Sequence, residues 1–390
     1  MASNAKNLAE YLNNQTTSAT ADIADGSITT DKLAADAVTA AKLADNAVVT
    51  ANITDSAVTS GKVNPAGLNL GRRNIAYNGA MQVAQRNTSQ SGISSGGYYT
   101  VDRFKVSTNS AGRSTMTQET ITDLPGFVNA IKLDCTTADT SLGSGEYLQL
   151  SQYFEGQDLQ SFKKGTSSAE KVTVSFYVKG NGNATYMCEL YDGDNGRRTG
   201  IQFSVTSSWN RVSLTFDGDT TGAYDDDNAI SLYLNLWLAA GSGYSGGTYT
   251  ANTWASNVNA NRAVGASNFY SSTNNTFFVT GFQVEVGDSA SDFEHRSFAE
   301  ELHFCKRYYE SKYYRSGTYA EVGFAFSSNS GRVTVDWEVE KRANPSVTFS
   351  GNASVYKDGN SNSGATFSAE SPGTRQTRVN VSISGTMSAG

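Results

Sequence analysis

A hydrophobic residue recurs at every fifth position over the first sixty-odd residues, and this spacing constrains the chain more than any other feature. Four ten-residue blocks align without a gap: ADGSITTDKL (24–33), AADAVTAAKL (34–43), ADNAVVTANI (44–53) and TDSAVTSGKV (54–63). The aliphatic positions are Ile23, Ile28, Leu33, Val38, Leu43, Val48, Ile53, Val58 and Val63. Five steps along an α-helix leave an angular offset of roughly 140°, so these side chains form no stripe. In a strand an odd spacing sends alternate members to opposite faces. The Thr and Asp positions between them favour caps and turns, which interrupt helical runs.

Energetics narrow the choice. Burying one such side chain gives about 1.5–3 kcal/mol, so nine give roughly 15–25 kcal/mol at best. Ordering some forty residues costs about 1–2 kcal/mol each for the backbone alone. A solitary chain cannot recover that cost. Either the segment is a flexible linker, or several copies share one axis and bury the aliphatics between them. The strict period favours the stalk, and cyclic closure of a head-to-tail interface makes three copies the expected number. Ahead of the repeat, Ser3 or Asn4 can cap a short helix with Leu8 and Leu12 one turn apart. A free helix this short is marginal, so Leu8 and Leu12 are expected to dock on the other copies or on an attachment partner.

The remainder reads as β structure. Strand patterns rich in β-branched and aromatic residues occur at 171–180, 184–193, 201–216, 229–240 and 275–287, separated by Gly, Asn and Asp turns such as KGNGN and YDGDNG. No long segment of helical period intervenes, which argues against a parallel βαβ fold. An antiparallel sandwich, a jelly roll, is expected over 68–297. Apolar residues at 298, 302, 305 and 309 then predict a connecting helix over 298–310. Strand patterns return at 319–328, 332–341, 346–351, 353–359 and 378–385, a second and smaller β domain over 311–390. The division is therefore an attachment helix (1–20), a repeat stalk (21–67), the sandwich, the connecting helix and a β tip.

Composition excludes several function classes. The net charge is −7 with Lys and Arg scattered, which argues against nucleic acid as a partner. No segment approaches the ~20 apolar residues of a membrane span. The first residues show neither the apolar core nor the cleavage site of a secretory signal. Cys135, Cys188 and Cys305 are far apart and outside metal-ligand spacing. They are expected to be buried, reduced thiols of a chain made in the cytosol. Charged residues make up only 17% and aromatics 11%, a composition suited to a surface-displayed β protein. A virion protein meets both conditions.

Three stretches carry a resemblance: RRNIAYNGAMQVAQRNTS…YYTVDRF (72–104), KVTVSFYVKG (171–180) and FFVTGFQVEVGDSASDFEHRSFAEELHFCKRYYE (277–310). Together they resemble the carbohydrate-binding-module-like domain of phage tail fibres, over roughly 72–310. The decapeptide repeat resembles those in fibre-like structural proteins of phages infecting marine bacteria, cyanobacteria in particular. VEKRANPSVTFSG (339–351) resembles C-terminal domains of phage fibres. The resemblance implies a trimeric virion fibre, assembled in the host cytoplasm, held by other virion proteins through its N-terminus and bearing a jelly-roll module.

No catalytic constellation stands out. His295 and His303 have no nucleophile or orienting group nearby in sequence, and read as solvated or capping side chains. The acidic runs FDGDTTGAYDDD (216–227) and YDGDNG (191–196) offer hard oxygen ligands, but without EF-hand spacing they read as solvated turns rather than a calcium site. In GSGYSGGTYTANTW (241–254), Tyr244, Tyr249 and Trp254 are candidates for a sugar platform, because rings combine an apolar face with a polar edge. Packing into a trimer interface is the competing reading. The expectation is a non-enzymatic fibre without cofactor or metal, adhering to host-surface glycans. The alternatives are a purely structural virion appendage and, remotely, a polysaccharide depolymerase.

Overall fold

In a computed structural model of the chain, the described residues are 72–314, 321–351, 353–357 and 360–383, with scattered positions between 4 and 53. The chain separates into two compact units, 1–71 and 72–390. In the first unit Asn4, Ala5, Lys6 and Ala9 are helical, while Leu8 and Leu12 lie outside the described residues. Leu33, Val38, Leu43, Val48 and Ile53 are described. Each sits at a bend and is 39–54% exposed in the single chain. Ile23, Ile28, Val58 and Val63 lie outside the described residues.

The second unit is built from strands. In chain order those of the central region are β1 (Ser89–Ile93), β2 (Lys105–Thr108), β3 (Arg113–Thr120), β4 (Asn129–Thr137), β5 (Tyr147–Glu155) and β6 (Val172–Gly180). They continue with β7 (Ala184–Asp192), β8 (Arg197–Val205), β9 (Asn210–Phe216), β10 (Ile230–Ala240), β11 (Ala255–Ser256) and β12 (Thr276–Val286). One six-stranded sheet runs β1-β3-β4-β12-β6-β9, and the other runs β11-β8-β7-β10-β5-β2. Every pairing is antiparallel. The chain changes sheet from β1 to β2, β2 to β3, β4 to β5, β5 to β6, β6 to β7, β8 to β9, β9 to β10 and β11 to β12, so the sheets are interwoven as the two layers of a sandwich.

Alternation explains the core. On β10, Leu232, Leu234, Leu236 and Leu238 point inward and are buried, meeting Leu148, Leu150 and Phe154 of β5 and Cys188 and Leu190 of β7. Rings fill the space between the layers: Phe176 of β6 stacks on Phe282 of its sheet neighbour β12 at 5.4 Å and meets Phe203 of β8, in the other sheet, edge-on at 5.2 Å. Filling one core this way lets the sandwich recover its ordering cost without a partner chain.

The stretches that carry the family resemblance are the staples of this fold. Asn74 donates from Nδ2 to the Phe282 carbonyl, while its Oδ1 accepts from Ala76 N and Val284 N. Asn78 takes a left-handed conformation, φ 58°, which Asn tolerates better than most residues. Its side chain ties the carbonyls of Val83 and Asp102. Glu294 accepts from the backbone amides of Arg73 and Asn74. Chain segments some 220 positions apart are thereby closed on one another.

The connecting helix is shorter than the periodicity predicts, and Glu301 rather than Phe298 joins Cys305 on its buried face. It spans Phe298–Lys306, opened by a capping box between Ser297 and Glu300. Cys305 and Glu301 are buried, whereas Phe298 is 55% exposed. Glu301 goes inside because its carboxylate accepts the Asn78 amide at 2.6 Å and pairs with Arg296. Beyond Lys306 the chain leaves the helix, and Tyr308 and Tyr309 lay their rings on Arg103 and Arg86.

The C-terminal region forms one five-stranded antiparallel sheet, β13 (Gly323–Ala325), β14 (Ser330–Asp336), β17 (Gln376–Ser382), β16 (Asn360–Glu370) and β15 (Ala353–Lys357), in that spatial order. Residues 346–351, read from sequence as a strand, form none. The polar run at 360–370 does, because it pairs with both β15 and β17. This sheet joins the sandwich through Asn228 and Arg342, whose side chains each bond the other's backbone carbonyl, and through Lys341 Nζ on the Lys306 carbonyl.

Candidate functional site

The outer face of the second sheet differs in chemistry from its inner face. Odd-numbered residues of β5, of β7 and of β10 as far as Trp237 point away from the core, and antiparallel register lines them up in rows. Tyr153, Tyr233 and Tyr191 form one row across β5, β10 and β7. Ser151, Asn235 and Glu189 form the next, followed by Gln149, Trp237 and Met187.

The three tyrosine rings are half-buried and touch in sequence, Tyr153 to Tyr233 at 4.6 Å and Tyr233 to Tyr191 at 5.6 Å. Tyr233 lies over Gly193, where a Cβ would come within 2.8 Å of the ring. The YDGDNG turn therefore needs glycine there to give the ring room. Burial, reinforced by neighbouring phenols, raises the Tyr233 pKa, and burial likewise raises that of Tyr153. Both remain neutral phenols that can donate and accept.

Behind the rings lies a buried polar row. Ser151 Oγ donates to Asn235 Oδ1 at 2.7 Å, and Asn235 Nδ2 donates to Glu189 Oε2 at 3.0 Å. Trp237 Nε1 donates to the same oxygen at 2.9 Å. Arg262 completes the set with two bonds of 2.8 Å to Glu189. Its guanidinium lies 5.0 Å from the Tyr191 ring and 4.9 Å from Trp237. Burial alone would lower the Arg262 pKa, but the Glu189 bonds outweigh it and hold it above the usual value. Glu189 is fully buried and fully used. Its role is to hold Arg262 against the aromatic row.

Tyr244 and Tyr249 belong to the same face but not to this row. Both are half-buried against Met187, Trp237 and Ala263, and the Tyr249 hydroxyl accepts from Gln202 N. Trp254 lies elsewhere, packed on the main core with its Nε1 donating to the Asp217 carbonyl and Lys164 Nζ 5.5 Å from its ring. The three rings thus form no single exposed platform, because the loop folds back and uses them to cover the sheet. The residues that do align were missed by sequence reading. Their signal is the alternation YLQLSQY, CELYD and LYLNLW, but which strands are neighbours is set by the sheet order 7-10-5.

The acidic runs are not solvated turns throughout. Asp192 and Asp219 are buried, and both pair with Lys164, at 2.6 and 3.2 Å. Arg197 adds two bonds to Asp219. Asp192 also accepts the amides of Asp194 and Asn195, closing the turn. The carboxylates are neutralised by side chains from neighbouring elements, which the linear sequence does not bring together. His295 is exposed with its ring against Phe127 and Phe293. All three cysteines are free and buried, and burial pushes each thiol pKa up, so none is a ready nucleophile. No described helix is long and apolar enough to cross a membrane.

No family model matches the chain, and no curated protein matches it. Solved structures overlap part of the chain loosely. A family 11 carbohydrate-binding module from Clostridium thermocellum, in complex with a β-1,3-1,4-mixed-linked tetrasaccharide, is 12% identical, with 53% of this chain and 98% of that one covered and a TM-score of 0.26. The TmCBM61 module, in complex with β-1,4-galactotriose, is 12% identical over 55% of this chain and 99% of its own, at a TM-score of 0.28. The enzymatically active domain of tailspike protein 4 of bacteriophage CBA120 is 11% identical, with 55% of this chain but 21% of that one covered, at 0.28. Overlaps this loose fix neither family nor ligand. The chain is mainly β, with an antiparallel sandwich.

Proposed function

We propose that this chain is a non-enzymatic, homotrimeric fibre of a phage particle whose sandwich binds saccharides on the outer face of its second sheet. The observation that carries the binding reading is the tyrosine row, Tyr153, Tyr233 and Tyr191, backed by Asn235, Glu189 and Arg262. A sugar ring presents apolar C–H faces and a rim of hydroxyls. Neutral phenol rings in a line match the faces, and their hydroxyls match the rim, while the buried Asn235, Glu189 and Arg262 hold the rings in place. Their mutual hydrogen bonds fix them in advance, which lowers the cost of ordering on binding.

Assembly follows from the repeat. Five described aliphatics of the five-residue series are exposed in the single chain, and an axis shared by three copies would cover them. Three sandwiches on one fibre would turn weak single-site binding into avidity. Attachment to the particle falls to the N-terminal residues, including Leu8 and Leu12. The virion is the location this reading assigns.

The test is binding of the purified full chain to an array of bacterial envelope and neutral plant polysaccharides. Wild type should bind some of them, and Tyr233→Ala should weaken that binding roughly tenfold while melting normally. Release of reducing ends would instead point to a depolymerase. A wild-type chain that binds no saccharide would leave the purely structural appendage as the better account.

A further inference from the structure

We infer that a cationic cavity at the end of the tyrosine row takes an oxyanion, so that the saccharide bound there is acidic, bearing a carboxylate or sulfate on a sugar adjoining the row. The inference rests on the sugar-binding reading and adds the chemical class of the ligand.

A cavity of about 210 Å³ lies where the sandwich, the end of the connecting helix and the start of the C-terminal sheet region meet. Tyr153 lines it and also ends the tyrosine row, so cavity and row are continuous. Five basic side chains line it against two carboxylates, Asp102 and Glu155. Those two are already engaged. Asp102 pairs with Arg86, and Glu155 takes two bonds from Arg307 and a third from the Tyr308 hydroxyl. Lys341 is held by Glu310.

Arg103 and Arg342 remain, and among the described residues neither has a carboxylate within ion-pair distance. Arg103 is the decisive one. It is 4% exposed, and among the described residues its Nε has no hydrogen-bond partner and its one side-chain bond goes to the Tyr153 carbonyl. The Tyr308 ring lies 3.4 Å from its guanidinium carbon and stabilises the cation without neutralising it. A buried cation without a bonded anion is costly, and its backbone is held in a left-handed conformation, φ 74°. Arg342 reaches the same cavity from the C-terminal region, fixed by the Asn228 carbonyl. Two guanidinium groups without paired carboxylates, beside tyrosine rings, suit an anionic substituent on a sugar whose ring stacks on Tyr153.

The experiment is calorimetric titration of the full chain with three probes: a neutral galactan, polygalacturonate and dextran sulfate. The expected result is at least roughly tenfold tighter binding of one acidic polymer than of the neutral one, the size of a charge-assisted bond, shrinking as salt is raised. The net charge of −7 opposes any unspecific attraction to polyanions. Arg342→Gln should abolish most of the acidic preference and leave neutral binding unchanged, and Arg103→Gln should do the same if it folds. Lys171→Gln, at an exposed cation just before β6, should change nothing. Equal affinity for neutral and acidic polymers, or equal losses in Arg342→Gln and Lys171→Gln, would overturn the acidic assignment while leaving sugar binding intact. Failure to bind any of the three would overturn both. Preference for polygalacturonate or for dextran sulfate decides between carboxylate and sulfate.

Discussion

The repeat and the sandwich use similar aliphatic residues under opposite conditions. In the sandwich, Leu232, Leu234, Leu236 and Leu238 alternate with polar and aromatic residues, and antiparallel neighbours cover every one of them. In the repeat, Leu33, Val38, Leu43, Val48 and Ile53 recur at an interval that no single helix or strand can turn to one side, and they stay exposed. A period of two lets a chain close its own core. A period of five does not, and on the proposed reading other copies of the chain cover these residues. The C-terminal sheet stands between these cases. It buries Val379, Val381 and Ile383, yet leaves Val322, Phe324 and Phe326 in solvent.

The largest expected effect breaks the repeat alone. In the proposed stalk, Val48→Asp would bring one carboxylate per chain to the axis, each costing several kcal/mol to bury. Sedimentation and limited proteolysis should show a loosened N-terminal region, while the sandwich melts at its wild-type temperature. A resistant, unchanged repeat would remove the distinction drawn between the two regions. The complementary change is Phe176→Ala, which deletes a ring stacked on Phe282 and should cost about 3–5 kcal/mol. Chemical denaturation should register it in the sandwich, with chain association preserved.

A smaller effect concerns Asp102 beside the cavity. Burial raises its pKa to about 6, against the lowering influence of Gln85 and Arg86. Between roughly pH 4 and 6 the folded chain therefore holds more protons at this site than the unfolded one. Stability from Asp102 is gained as pH falls through about 6 and lost as pH rises through it. Asp102→Asn removes that cost. Its advantage over wild type should grow by roughly 2–3 kcal/mol between pH 4 and 7, read from paired denaturation curves. A constant difference would show that Asp102 is not desolvated. The smallest effect is on binding: Tyr233→Ala should weaken saccharide binding by roughly tenfold, about 1.4 kcal/mol, with little change in stability.

Local chemistry made most of the sandwich legible. The runs at 171–180, 184–193, 229–240 and 275–287 lie within a residue of β6, β7, β10 and β12, because alternation and β-branched content are properties of each run. Pairing is not such a property. That β10 sits between β5 and β7 depends on a crossing between layers, so Tyr153, Tyr233 and Tyr191 could not be brought together from the sequence. Glu301 shows the same limit on a helix, since its inward position is set by the Asn78 amide some 220 residues away. At 360–370 the run NSNSG reads as a turn, and only its two partner strands make it a strand. Tyr244, Tyr249 and Trp254 were found as an aromatic cluster, but the fold uses them as packing surfaces.

Analytical ultracentrifugation of the full chain in dilute solution tests most directly whether the five-residue period calls for other copies. A stalk of three copies gives a single species of three chain masses whose repeat resists protease. A stable species of one chain mass with the same resistance would contradict it.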